Sequence, residues 1–507
     1  MKNRSFSINS KLNTSLKMRK TILLLSLIAF FTSCDNIKQD NSAPSKQIDS
    51  SINVEVDRIT FSTALAKALQ NEEFRELIKS EALKKFDGDY DIFYQKLKDV
   101  RLSSGLTVES LIGSYLEKDA DIMKLTRNLP LLTIFIPELS RHSASKWDTK
   151  NEIPIVGVRN YGDLAVNKPM KTFDSNGNEG SLSYRQDFLR PIIIVKDNER
   201  LVDERSKTSR LSSVNTEAHE PYLVNDLGQF AFWDNTFDKR IPEKEKYARI
   251  NDLTDGFYDT ELLPDIREAF ENGSSCQRDN VYYRILPQLG RNSGVYRPNF
   301  AEALTSIRFS DKSMFNYVMD DATDGNFEFQ VTIAMTGAAP GAINSLNKGI
   351  SCSRNDVFSL TVDPDGYFIV NDTKLHLFEP IPIVGWNIKT YGDTWKFVVQ
   401  ELDPGTTTTV SSSVSSTFGT NFTNNDTKTG IGFGTSTQQV FNSGFNYVTT
   451  GASDALFDGT AEYCQPLVTS MSTYPMPPFG FPVNLYSHGP QITTGYVTLN
   501  MRTAQLW

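Results

Sequence analysis

The sequence is poor in the residues from which most recognisable active sites are built. Only four histidines occur in 507 residues, His142, His219, His376 and His488, and they are scattered. His219–Glu220 runs straight into Pro221, so it has neither the helix nor the second histidine of an HExxH zinc protease. No GxSxG elbow, P-loop or GxGxxG fingerprint occurs. The nearest approach, GFGTST at Gly432 to Thr437, lacks the lysine and the following helix that would cradle a phosphate. No catalytic residue, metal ligand or cofactor site is therefore assigned. Basic charge is also short: the formal net charge of −9 leaves no concentrated Lys/Arg field to release counterions, which excludes nucleic acid as a partner. Carboxylates are plentiful enough to assemble a glycosidase-type pair in three dimensions, so a secreted hydrolase without a visible motif stays among the alternatives.

Cysteine is sparse as well. Beyond Cys34 there are Cys276, Cys352 and Cys464, which permit one disulfide with one thiol left over and match no metal-ligand spacing. A Cys352–Cys464 bridge inside the strand-rich half is the expected pairing, with free buried cysteines as the alternative.

One long apolar run exists, TILLLSLIAFF, preceded by Lys17, Arg19 and Lys20 and followed by Thr32, Ser33 and Cys34. A basic segment, about ten apolar residues and small residues before a cut form a secretory signal, too short to span a bilayer comfortably. Met18 stands just upstream of the basic pair and is a second candidate start. FTSC at Phe31 to Cys34 resembles the lipobox of bacterial lipoproteins, with Phe31 in place of the commoner Leu. The resemblance implies that Cys34 is lipid-modified and becomes the mature N-terminus. The polar stretch that follows, Asp35 to about Asn53, lacks apolar periodicity and suits a flexible tether. Acyl chains contribute about 0.8 kcal/mol per buried methylene, enough for lasting attachment when several share one cysteine. The expected location is an outer membrane or cell surface.

The body divides by texture. Residues 1–33 are the signal, 34–53 the tether, and 54–128 a helical unit in which Ile59, Leu65, Leu69, Phe74, Ile78 and Leu83 fall near helical spacing. Thr107 is a natural N-cap with Glu109 in the first turn, and three helices are expected. Asp87, Asp89 and Asp91 in FDGDYD alternate as in a calcium loop. An EF-hand needs Gly and Glu where Ile92 and Lys98 stand, so the segment reads as a turn with an acidic helix cap. Residues 129–202 carry short apolar runs bounded by turn formers, an antiparallel β unit with FDSNGNEG as a hairpin loop. Residues 203–299 are irregular apart from a short helix near Leu262 to Glu271, opened by Pro264 and closed by Asn272 and Gly273. Residues 300–507 form a C-terminal antiparallel β domain of sandwich type, with DPDG at Asp363 to Gly366 as a β-turn.

The most unusual composition lies at Thr406 to Tyr447. In the first arm Val410, Val414, Phe418 and Phe422 share one parity, and in the second Ile431, Phe433, Phe441 and Phe445 share the other. Two such arms around a polar, Gly-containing loop predict a long β-hairpin with one apolar and one hydroxyl-rich face. The segment resembles the Ser/Thr-rich hairpin of aerolysin-like pore-forming proteins, and each arm exceeds the roughly 9–11 residues a tilted strand needs to cross a bilayer. That resemblance implies insertion through Val410, Val414, Phe418, Phe422, Ile431 and Phe433. Serines and threonines at 412, 416, 435 and 437 interrupt the apolar face. A solvent-facing hairpin within a sandwich is the alternative.

The fold expected is thus multi-domain α+β, helices first and mainly antiparallel sheets after. The function expected is non-catalytic binding of a carbohydrate or protein partner by a membrane-anchored exported protein. Its candidate contacts are the aromatics Tyr474, Phe479, Phe481, Trp386 and Trp395, the first three in or beside the proline-rich tract YPMPPFGFP.

Overall fold

Two large hydrophobic clusters and a smaller third organise the chain. A computed structural model of the protein describes residues 48–159, 169–183, 190–204, 220–247, 258–318, 325–336, 343–402, 407–411, 417–420, 431–432, 439–442, 446–450, 455–475 and 482–506. Val54–Trp507 forms one compact unit. The fold is multi-domain α+β in class, richer in strand than in helix, with several separate sheets that are mainly antiparallel.

The first cluster joins helices to a sheet. Helices α1 (Ile48–Ala68) and α2 (Glu72–Ala82) carry Phe61, Leu65, Phe74 and Ile78 on their buried faces. The Asn71 side chain caps α2 by accepting the Phe74 N–H at 2.9 Å. Thr107 caps α3 (Val108–Gly113) in the same way through the Ser110 N–H, and Asp121 caps α4 (Ile122–Asn128). These helices cover a six-stranded sheet of β1 (Asp91–Phe93), β2 (Leu132–Phe135), β3 (Ile155–Val158), β4 (Met170–Phe173), β5 (Glu179–Leu182) and β6 (Ile192–Asp197). The spatial order is β1-β2-β6-β3-β4-β5, and β3 with β6 is its one parallel pair. Ile192 to Val195 are all buried, as a central strand covered on both faces requires. Helices and strands here share one cluster, so neither would bury its apolar face alone.

A three-stranded sheet follows, β7 (Leu201–Asp203), β8 (Leu223–Val224) and β9 (Gln229–Phe232), packed with Trp233 and Phe237. After β10 (Tyr258–Asp259), α5 (Pro264–Glu271) starts with proline at N1 and ends before Gly273, whose φ of +69° favours glycine. Then come α6 (Gln277–Tyr283), buried along its length, and β11 (Ser293–Gly294).

The remaining strands build a sandwich. They are β12 (Phe300–Phe309), β13 (Phe327–Thr336), β14 (Ile343–Cys352), the hairpin β15 (Phe358–Val362) and β16 (Phe368–Thr373), β17 (His376–Pro382), and β18 (Thr394–Glu401). Next are β19 (Thr407–Ser411), β20 (Thr417–Thr420), β21 (Ile431–Gly432), β22 (Gln439–Asn442) and β23 (Asn446–Thr450). The last are β24 (Ala455–Glu462), β25 (Val468–Pro475), β26 (Pro482–His488), β27 (Gln491–Thr493) and β28 (Val497–Gln505). Two four-stranded antiparallel sheets, β17-β12-β28-β27 and β14-β13-β18-β24, share one hydrophobic cluster, with Phe309 and Phe329 meeting across it at 5.9 Å. Odd residues of β13 from Phe327 to Met335 face that cluster, while even ones such as Glu328 lie outside it.

In its described parts the segment predicted as a hairpin is a two-stranded ribbon: β19 pairs with β23 from Thr407↔Thr450, and β20 with β22 from Thr417↔Asn442. Among the described residues no third strand flanks these pairs, and near the far end Ile431–Gly432 pairs with Ser293–Gly294.

Two expectations are corrected here. Cys464 bridges to Cys276, not to Cys352. Cys276 is the N-cap of α6 and lies 4.2 Å from Cys464 between Cα atoms, whereas Cys352 at the end of β14 is a free thiol buried in the sandwich cluster. Trp386 and Trp395 are not surface contacts. They stack at 4.1 Å, fully buried, with the Arg278 guanidinium 4.5 Å from the Trp386 ring centre.

Candidate functional site

The three aspartates of FDGDYD do not cap the helix that follows, Tyr94–Leu97, whose N-cap is Phe93. All are buried, and they converge on Arg200 in the turn after β6. Arg200 Nη1 lies 3.2 Å from Asp87 and 3.9 Å from Asp91, and Nη2 lies 3.5 Å from Asp89. On its other side Arg200 donates to Glu328 from β13, through Nε at 3.1 Å and through Nη2. Lys196 joins from β6, 2.9 Å from Glu199 and 3.5 Å from Asp91, and Arg159 stands 3.9 Å from Glu199. The Asn198 side chain holds the turn, accepting the N–H groups of Arg200 and Leu201 while donating to Asp87 at 3.0 Å. Helix-covered sheet and sandwich are thus joined by buried ions.

Five carboxylates here, Asp87, Asp89, Asp91, Glu199 and Glu328, meet three cations, Lys196, Arg159 and Arg200. Burial pushes Glu328 up to about 8, against the pull of Arg200, and carries Asp91 well above the usual carboxylate range, against Lys196. Neither Asp91 oxygen accepts a hydrogen bond, which removes one source of stabilisation for its anion. Burial also works to raise Asp89, but Arg200, Lys196 and the N–H groups of Asn326 and Tyr90 outweigh it and its pKa lies low. Five carboxylates beside three cations leave the cluster short of positive charge, and burial favours the protonated forms of Asp91 and Glu328.

Above this floor opens a cleft of about 190 Å³. Asp87 and Asn326 form its base, Phe237, Phe378 and Ile350 its apolar walls, and Lys239 and Glu379 are exposed where it meets solvent. Gly88 has φ +102° and a Cβ there would stand 3.4 Å from Lys239 Cε, so the turn over Asp87 requires glycine. Gly349 is needed for space: a Cβ would come within 2.4 Å of Phe237. Thr236 fixes that corner by donating to the Gly349 carbonyl at 3.2 Å. Asp87 is consumed by the floor, since Asn198, Arg200 and the Asp89 N–H already use its oxygens. Asn326, Lys239 and Glu379 are the polar side chains offered to a ligand. Among the described residues no group of three or more His, Cys, Asp and Glu is placed to hold a metal ion.

The residues singled out from sequence lie elsewhere. Tyr474 is on β25 and 55 % exposed. Val410, Phe418 and Ile431 have backbone positions in the ribbon, while Cys34, Phe479, Phe481, Val414, Phe422 and Phe433 lie outside the described residues. The cleft residues were missed because they come from five separate stretches, 87–88, 236–247, 326, 349–351 and 378–381. One signal was available: Glu328 and Gln330 alternate with Phe327, Phe329 and Val331 in FEFQV, a polar face on a strand that both sides of the molecule cover.

No protein-family model matches the chain, and no curated protein or solved structure is significantly similar to it.

Proposed function

We propose that this is an exported lipoprotein, held to a membrane through Cys34, that binds carbohydrate in the cleft between Phe237 and Phe378 without catalysing its conversion. The observation that carries the reading is the cleft itself. Its apolar ring-bearing walls suit the apolar face of a sugar, while Asn326, Lys239 and Glu379 suit hydroxyl groups, the few placed polar groups that orient a ligand in a mainly apolar site. The Cys276–Cys464 disulfide supports export, since such bridges persist in oxidising compartments. Titration calorimetry against a panel of neutral oligosaccharides tests the site. Binding that Phe237→Ala and Asn326→Ala each weaken about tenfold or more is expected, a loss of roughly 1.4 kcal/mol. Binding unaffected by either variant, or no binding across the panel, overturns it; a protein partner captured at the cleft would replace the carbohydrate. The anchor is tested separately: labelled palmitate should enter the wild type and not Cys34→Ser.

A second reading is favoured by the ribbon, whose pairs β19–β23 and β20–β22 have no third strand beside them among the described residues, while Ile431–Gly432 of the second arm pairs with Ser293–Gly294. An aerolysin-like insertion of this ribbon predicts dye release from liposomes and heat-stable oligomers. Absence of both on susceptible membranes removes it.

A further inference from the structure

Helix α6 ends on an arginine where a glycine is the usual residue. Arg284 caps it with φ +56° and ψ +25°, a left-handed conformation that glycine adopts freely and a residue with a Cβ adopts only at a cost. Two further arginines in the loop that follows are already engaged. Arg291 Nη2 lies 2.7 Å from Glu268 of α5, and Arg297 Nη1 lies 2.8 Å from Asp265 and donates to the Val281 carbonyl at 3.1 Å. The Arg297 backbone N–H donates to the Tyr282 carbonyl and that of Arg284 to the Asn280 carbonyl, so three of the last four carbonyls of α6 are covered by donors. Arg284 differs from its neighbours. It is exposed, and among the described residues no hydrogen bond or ion pair engages its guanidinium. Glu268 is already held by Arg291 and, at 3.1 Å, by the Asn280 side chain.

The three guanidinium groups line an open depression of about 550 Å³, together with Asn292 and Ser293 and with no acidic residue in its lining. We infer that this depression binds one oxyanion group of a ligand, a carboxylate or a phosphate, with Arg284 as its main contact. Three cations against two carboxylates leave one positive charge unmatched, in a chain whose formal net charge is −9. That balance selects an anion over a cation or an apolar surface, and a single anionic group over a polyanion. A guanidinium offers a planar fork of N–H donors that matches two oxygens of such a group. Arg291 and Arg297, fixed by their own carboxylates, add positive field without having to move. The Asn292 amide and the Ser293 hydroxyl supply neutral donors for the remaining oxygen. If residue 284 served only to end the helix, glycine would do it better. None of the cleft residues takes part, so the inference is independent of the carbohydrate reading.

The test uses a chain begun at Asp35, which keeps the whole compact unit Val54–Trp507 but neither signal nor anchor. Inorganic phosphate and glucuronate are titrated separately by calorimetry, with ionic strength held constant by sodium chloride. At least one should bind, and the tighter of the two tells a phosphate from a sugar carboxylate as the source of the group. Arg284→Gly should weaken that binding about tenfold or more, the loss expected for a charge-assisted hydrogen bond. The same variant should unfold at the wild-type temperature or above it, because glycine takes this backbone conformation without strain. Binding of neither probe overturns the inference, as does wild-type affinity in Arg284→Gly. Binding that disappears when chloride matches the ionic strength reduces the site to an adventitious ion only. A variant that both melts lower and loses binding makes Arg284 a structural cap and overturns it as well.

Discussion

Two buried arginines show how differently one residue type is used within this chain. Arg278, on α6, enters the sandwich core and meets Glu302 through Nε at 2.9 Å and Nη2 at 3.0 Å. Glu302 also accepts from the Tyr282 hydroxyl and from Thr503 Oγ1, so one cation faces one anion and the carboxylate is saturated. Arg200 faces four carboxylates, Asp87, Asp89, Asp91 and Glu328, in a cluster short of positive charge. The first pair is closed by its hydrogen bonds. The second has more carboxylates than cations, and it lies under the cleft. A buried ion pair is weak evidence for net stability; the contrast lies in what each leaves free to change.

The contrast can be broken most severely at Glu302. Glu302→Ala strands Arg278 without its anion and should cost about 3–5 kcal/mol in urea unfolding. A loss within 1 kcal/mol would mean the pair is not the closed unit described. The same corner holds the Cys276–Cys464 bridge, 188 residues apart in sequence. Cys276→Ser should cost about 2–5 kcal/mol, and reductant should destabilise the wild type by a like amount while leaving this variant untouched. Asp91→Asn sharpens the comparison from the other side. Because burial holds the Asp91 carboxyl well above the usual carboxylate range, the amide should change stability at pH 7 by roughly 1 kcal/mol or less. Smallest of all is Lys239→Ala, an exposed change expected within about 0.5 kcal/mol of wild type, which should alter ligand affinity alone.

Local rules carried much of the fold. The Thr107 cap, the Pro264-to-Gly273 helix, the turn at Asp363–Gly366 and the loop at Asp174–Gly177 all stand where the residue types placed them. The pairs β19–β23 and β20–β22 fall where alternation placed strands. What failed were statements about partners. Asp87, Asp89 and Asp91 read as a turn with an acidic helix cap because Arg200 and Glu328 are more than a hundred residues away. Trp386 and Trp395 looked like ligand contacts because two indoles near a connection give no hint that they stack on each other. Cys464 was given the wrong partner because sequence nearness within one half says nothing of the distance between Cα atoms.

The unequal charge of the Arg200 cluster is tested most directly by unfolding free energy against pH, wild type beside Glu328→Gln. Glu328 is raised to about 8 in the folded state from the usual 4.5, so its contribution is fully present below pH 4.5 and is lost as pH rises through 8. Between pH 5 and 8 the wild type should therefore lose stability, roughly a few kcal/mol at most, by a slope that Glu328→Gln flattens. Parallel curves for the two proteins would contradict the account.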